Sequence, residues 1–210
     1  MCQLLETIKV FDNSLKQIQY HTHRVNQSRE RLFGISVRWN LSELIRVPEL
    51  DPGIVYRCRF LYSTEPEKIE FIPYVRKEVR KLYATDCGDL DYSFKYSDRR
   101  IFDRLRSRIP DPGFADILLI KDGLLTDTSI ANIVLTDGNK WYTPASPLLK
   151  GTKRQLYIDS GVIIEKEIRW SDLNQYKNVR LINAMIDLDE SPDIPVECIF
   201  NIKAIRIPGF

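Results

Sequence analysis

At 210 residues, with 43% hydrophobic and 29% charged side chains, the chain has room for one large domain or two modest ones and the make-up of an ordinary globular protein. Its 31 basic and 29 acidic residues nearly cancel, so whole-chain charge gives no nucleic-acid footprint, and no stretch approaches the ~20 apolar residues of a membrane span. Cys2, Cys58, Cys87 and Cys198 are scattered without a Cys-x-x-Cys pair, which fits reduced thiols, and the absence of a basic-then-apolar leader predicts a cytoplasmic protein.

Residues 4–10 and 15–20 read as two strands around the turn-rich Asp12-Asn13-Ser14. Residues 21–33 follow as a helix, with Val25, Leu32 and Phe33 apolar, Arg24 in the first turn and Gly34 at the C-cap. Leu41, Leu44 and Ile45 predict a short helix stopped by Pro48, and Asp51-Pro52-Gly53 a turn. Residues 54–62 alternate as a half-buried strand does, and further strands are expected at 69–74 and 79–83, making the first part an antiparallel α+β unit. The polar run 84–91 suggests a split near Gly88, with a small α+β domain over 1–88 and a larger, β-rich domain over 89–210.

Beyond it, residues 97–109 read as a helix with Ile101, Phe102, Leu105 and Ile109 on one face, ended by Pro110-Asp111-Pro112-Gly113. Residues 117–120 and 133–135 are short β-branched runs, so Asp127 to Asn132 forms a small, polar crossing between strands. Gly151-Thr152 opens a helical segment reaching Ser160, and a helix start offers backbone N–H groups to an anion. These two features together point to a phosphorylated ligand. Strands at 162–170, 179–182 and 199–207, with a charged, proline-containing loop at 187–195, complete a chain without internal repeats. His21 and His23 stand two apart on a helix, point in different directions and have no third ligand nearby, so no metal site is expected. Asp98 and Asp103 interrupt the arginines at 99, 100, 104, 106 and 108, which therefore read as a solvated helix face and not as a nucleic-acid patch.

Tyr92-Ser93-Phe94-Lys95-Tyr96-Ser97-Asp98-Arg99, Asp127-Thr128-Ser129-Ile130-Ala131-Asn132-Ile133 and Leu148-Leu149-Lys150-Gly151-Thr152-Lys153-Arg154 follow one another in that order. In this the chain resembles the class IV, fold type IV pyridoxal-phosphate enzymes, among them branched-chain and D-amino-acid aminotransferases and 4-amino-4-deoxychorismate lyase. The likeness runs from Glu6-Thr7 to Asn183-Ala184-Met185. It implies a two-domain α+β fold of the D-amino-acid aminotransferase kind, with pyridoxal 5'-phosphate between the domains, a homodimer, and a small amino substrate.

The same resemblance implies residue roles. Lys95, in Lys-x-x-[Asn/Asp]-Arg, is the amine that bonds the cofactor aldehyde and then moves the substrate Cα proton, which requires an ammonium that can lose its proton. Asp127 pairs with the pyridine nitrogen, where most members have the longer glutamate. Arg24, in His-x-x-Arg as His21-Thr22-His23-Arg24, binds the phosphate with the backbone N–H groups of Thr152 and Lys153. The chain starts at Leu4-Leu5-Glu6-Thr7 without the strands and Gly-Asp-Gly segment usual before this point, so a substrate-facing wall is expected to be missing or supplied differently. The Lys95 motif and Asn183-Ala184-Met185 favour a lyase like 4-amino-4-deoxychorismate lyase. An amino-acid aminotransferase is the alternative, and a non-catalytic member of the fold or a binding module comes third. Tyr74, Arg76 and Arg80 are candidates to meet a substrate carboxylate.

Overall fold

A computed structural model describes residues 2–202 of the chain. Its architecture is α+β and rich in sheet, in two compact units. One unit runs to Val75 and takes in Phe94–Asp98, and the other consists of Arg76–Ser93 and the chain from Arg99 on. Gly88, near which the sequence suggests a split, lies inside the second unit.

The first unit begins with β1 (Leu4–Phe11), which turns at Asp12 and Asn13. Both residues have positive φ (49° and 52°), a conformation that short polar side chains tolerate. The return strand β2 (Ser14–Leu15) is far shorter than residues 15–20, because Gln17 adopts a left-handed conformation and α1 (Ile18–Phe33) starts directly after it. That helix ends as its sequence predicts: Gly34, at φ 68°, donates its N–H to Glu30 O, and Ile35 donates to Arg29 O. α2 (Leu41–Leu44) is capped by Asn40, whose Oδ1 accepts from Ser42 N–H. β3 (Tyr56–Tyr62) and β4 (Pro66–Pro73) complete an antiparallel sheet in the order β2-β1-β3-β4. The period of two puts Leu4, Ile8 and Val10 of β1 and Tyr56, Cys58, Phe60 and Tyr62 of β3 into one core with Val25 of α1. Each such aliphatic side chain contributes about 1.5–3 kcal/mol over an exposed one.

In the second unit, β5 (Lys81–Asp86) corrects the expectation for residues 79–83. It joins no antiparallel sheet of the first unit, but runs parallel to β6 (Ala115–Lys121) after the chain has passed through α3 (Arg100–Arg106). A parallel pair needs such a crossover, whereas alternation along a strand reports its faces and not its partner. β7 (Leu124–Thr128), β8 (Asn132–Thr136) and β9 (Trp141–Pro144) follow by tight turns, and α4 (Thr152–Asp159) leads to β10 (Ile164–Lys166), parallel to β9. The strand expected over 162–170 is limited to β10, and a 3₁₀ turn over Trp170–Gln175 comes after it. β11 (Asn178–Ile182) pairs with β8, β12 (Ile194–Pro195) with β11, and β13 (Ile199–Asn201) with β5. Residues 203–207 of the expected last strand lie outside the described residues. The long path of this sheet is β10-β9-β8-β7-β6-β5-β13, and its core holds Leu82, Leu118, Ile133, Leu135 and Val179. Every residue of β8 is buried, the pattern of a strand covered on both faces. No helix among the described residues is long and apolar enough to cross a membrane.

Candidate active site

On β1 the positions that face the core of the first unit are 4, 6, 8 and 10, so the strand's own period buries Glu6 beside Leu4, Ile8 and Val10. A carboxylate there needs partners, and α1 supplies two from adjacent turns. His21 Nδ1 lies 2.6 Å from Glu6 Oε2, Arg24 Nε donates to Oε1 at 2.8 Å and Arg24 Nη2 to Oε2 at 2.6 Å. Burial alone would raise the Glu6 pKa, but the Arg24 guanidinium and the His21 contact outweigh it and hold the carboxyl at about 2. His21 is lowered, first by burial and further by the charges of Arg24 and Lys95, against the pull of Glu6. Glu6 is therefore a carboxylate and accepts only, so the neutral His21 ring donates from Nδ1.

Lys95 is fastened to the same strand. Leu5 N–H donates to Lys95 O at 2.9 Å, Ser97 N–H to Gln3 O at 3.0 Å, and Leu4 bridges to Tyr96. Phe94 and Tyr96 pack on the core, while Lys95 between them is half-buried and acts by its charge on His21. One stretch, Gln3 to Glu6, thus fixes the backbone of Lys95 through main-chain bonds and the side chain of Arg24 through Glu6.

In the second unit, Asp127 is the penultimate residue of β7 and is paired in register with Asn132, the first residue of β8. The turn between them is pinned on several sides. Thr128 Oγ1 accepts from Ala131 N–H at 3.0 Å, Ser129 Oγ donates to the buried Asp116 at 2.5 Å, and Asn183 Nδ2 donates to Ile130 O at 3.1 Å. Arg99 donates to Ser129 O. The Asp127 carboxylate accepts from Asn132 Nδ2 at 2.6 Å and from Leu149 N–H at 2.8 Å. Burial raises its pKa to about 6 in spite of those donors and the more distant charge of Arg154.

Gly151 shows how tightly this corner is built. A Cβ at that position would lie 1.9 Å from Asn132 Oδ1, so the glycine is required by close approach. Directly after it α4 begins, and the first bond of its ladder is Gln155 N–H to Gly151 O, so the N–H groups of Thr152 and Lys153 precede the ladder. The Lys153 side chain does not extend from that helix start; it is buried and paired with Asp187. Arg154 is buried as well, donating to Pro144 O and to Glu165. Of the residues considered for a substrate carboxylate, Arg80 is bidentate with Glu78, and Arg76 donates to Glu190 O.

Sequence reasoning passed over Glu6, Asn132 and Gly151 as working parts. The signal for Glu6 was present: a charged residue in the buried phase of an otherwise apolar strand.

Residues 94–188 match the sequence profile of amino-transferase class IV. An uncharacterized protein of Haemophilus influenzae is 36% identical over 188 residues, which cover 88% of this chain and 98% of that one. The crystal structure of a candidate 4-amino-4-deoxychorismate lyase from Haemophilus somnus is 32% identical, superposes with a TM-score of 0.82 and covers 90% of this chain and 98% of that one. The chain belongs to the class IV aminotransferase family. As a member it is a pyridoxal-phosphate-dependent enzyme of fold type IV. The fold is also that of a hypothetical aminotransferase from Mycobacterium tuberculosis in its PLP-bound form, at 19% identity and a TM-score of 0.72, covering 92% of this chain and 80% of that one.

Proposed function

We propose that this enzyme is a lyase that converts 4-amino-4-deoxychorismate to 4-aminobenzoate and pyruvate, as a homodimer serving folate synthesis in the cytoplasm. The observation that carries the reading is the 32% identity to the Haemophilus somnus protein along nearly the whole of both chains. The residues fit pyridoxal phosphate. A buried carboxylate whose hydrogen-bond partners are neutral amides, with its pKa raised to about 6, is matched by a ring nitrogen that carries a proton. A helix start whose first N–H groups precede its ladder is matched by a phosphate.

Bound there, the cofactor supplies a ring that accepts electrons from the substrate Cα. Lys95 would hold the cofactor through its amine and would move the Cα proton, a task suited to a half-buried amine. Asp127 would hold the proton at the ring nitrogen. Arg24 and the N–H groups of Thr152 and Lys153 would hold the phosphate.

Borohydride reduction followed by peptide mapping is expected to find the cofactor on Lys95, and its recovery on another lysine would remove that assignment. Two assays on one preparation test the reaction. Aminodeoxychorismate without any keto acid should yield 4-aminobenzoate and pyruvate, because a lyase needs no amino-group acceptor. If it yields none, while a panel of L- and D-amino acids with 2-oxoglutarate gives steady glutamate, the enzyme is an amino-acid aminotransferase.

A further inference from the structure

We propose that Glu6 is a positioning residue, which sets the plane of the Arg24 guanidinium and thereby aims its outer edge at the cofactor phosphate. The inference rests on the assignment of Arg24 to the phosphate and adds the residue through which Arg24 is aimed.

Three observations carry it. First, the pairing is side-on: Glu6 takes Nε and Nη2 of Arg24 at 2.8 and 2.6 Å, and two parallel bonds to one carboxylate fix the guanidinium plane as a single contact does not. The three remaining N–H donors then lie on the edge turned away from Glu6. Glu6 itself is fully buried, and the Arg24 side chain is 13% exposed. Second, Glu6 cannot follow a drifting arginine. Its Oε2 also takes His21 Nδ1 at 2.6 Å, and its backbone is central to β1, with Glu6 opposite Phe60 of β3. Third, a carboxylate in this core position has no solvation to gain. An apolar residue would continue the row of Leu4, Ile8 and Val10, so the charge is there for its partners.

The test compares full-length parent protein, Glu6→Gln, Glu6→Asp, Arg24→Ala and the double variant Glu6→Gln/Arg24→Ala. Each is stripped of cofactor and titrated separately with pyridoxal phosphate and with pyridoxal, which lacks the phosphate, by absorbance and intrinsic fluorescence. Glu6→Gln should weaken pyridoxal phosphate on the order of tenfold, the worth of one misdirected charge-assisted bond, and leave pyridoxal unchanged. In the Arg24→Ala background the same substitution should change neither. Glu6→Asp keeps the charge but retracts it by one methylene, so it should show a smaller, equally phosphate-selective loss, and it serves if the glutamine variant does not fold. Equal loss for pyridoxal and pyridoxal phosphate would make Glu6 merely structural and overturn the proposal, as would unchanged affinity for both. If Arg24→Ala itself binds pyridoxal phosphate like the parent, the phosphate assignment of Arg24 fails. A weakened Arg24→Ala beside an unaffected Glu6→Gln removes the Glu6 inference alone.

Discussion

Glu6 in the first unit and Asp127 in the second are both buried carboxylates, yet they stand at opposite ends of the carboxylate range, near 2 and near 6. Burial pushes both upward, and the difference lies in who answers it. Glu6 is met by a guanidinium in two bonds and by an imidazole N–H, so its charge is balanced within its own unit. Asp127 is met by a side-chain amide and a peptide N–H, which satisfy its oxygens, and the more distant charge of Arg154 does not offset its burial. A fully paired carboxylate is a fixture that holds something else in place. One that is hydrogen-bonded but uncompensated is poised for a cationic partner, and a protonated ring nitrogen is such a partner.

The pH dependence of stability separates the two. For Glu6 the folded pKa lies below the usual 4.5, so its contribution is present above that value and is lost as pH falls toward 2. For Asp127 the folded pKa lies above 3.8, so the folded state binds the extra proton between about 4 and 6 and loses stability as pH rises through that window. Glu6→Ala leaves a mostly buried guanidinium without its counter-charge and should destabilise the protein by about 3–5 kcal/mol at pH 7, the largest effect expected here. Urea unfolding measures it, and a loss below about 1 kcal/mol would class the pair with solvent-exposed ion pairs.

Asp127→Asn should act in the other direction on the cofactor-stripped protein. The neutral amide removes the cost of the buried charge, a gain on the order of 2–3 kcal/mol at pH 7 that shrinks toward pH 4. Turnover should nevertheless fall on the order of 10²–10³-fold with cofactor still bound, because the amide cannot hold the ring proton. Rising stability with falling kcat is the signature of a functional carboxylate. A variant no more stable at pH 7 than at pH 4 relative to the parent would show that Asp127 is better solvated than its burial implies.

What could be read from the sequence follows from the range of the interactions. α1 and its end were legible because Gly34 and the spacing of Val25, Leu32 and Phe33 are local signals. The small, polar crossing at Asp127 to Asn132 was legible as composition, but Leu124–Thr128 is a strand in its own right that the polar reading of the crossing obscured. β5 lies in a different sheet from the one its sequence suggests, because periodicity does not name a partner as far along the chain as Ala115 is from Lys81. The destination of the Lys153 side chain depends on Asp187, and the grip on Asp127 on Leu149, so neither could be read from neighbouring residues. Glu6 was legible and unread: its phase in β1 already placed a charge in the core, and a buried charge implies a partner.

The smallest of the expected effects concerns how Asp127 keeps its partner. Gly151→Ala would place a methyl 1.9 Å from Asn132 Oδ1 and 3.1 Å from its Cγ, so one of the two must move. Asn132 is not easily displaced, since its Nδ2 donates both to Asp127 Oδ1 and to Leu149 O at 2.9 Å, and rotating the side chain drops both bonds. The start of α4 can shift instead, but that moves Thr152 and Lys153, the proposed phosphate donors. Either response costs about 1–3 kcal/mol of stability, as overpacking does elsewhere. The two are told apart by ligand. If Asn132 yields, kcat falls less than in Asp127→Asn, because Asp127 keeps Leu149 N–H, and pyridoxal and pyridoxal phosphate bind as before. If α4 yields, pyridoxal phosphate alone weakens. Adding Asn132→Ala to Gly151→Ala removes the clash and should recover the α4-dependent loss, while leaving Asp127 short of one donor. A Gly151→Ala protein as stable and as active as the parent would show that this corner is looser than a 1.9 Å approach allows.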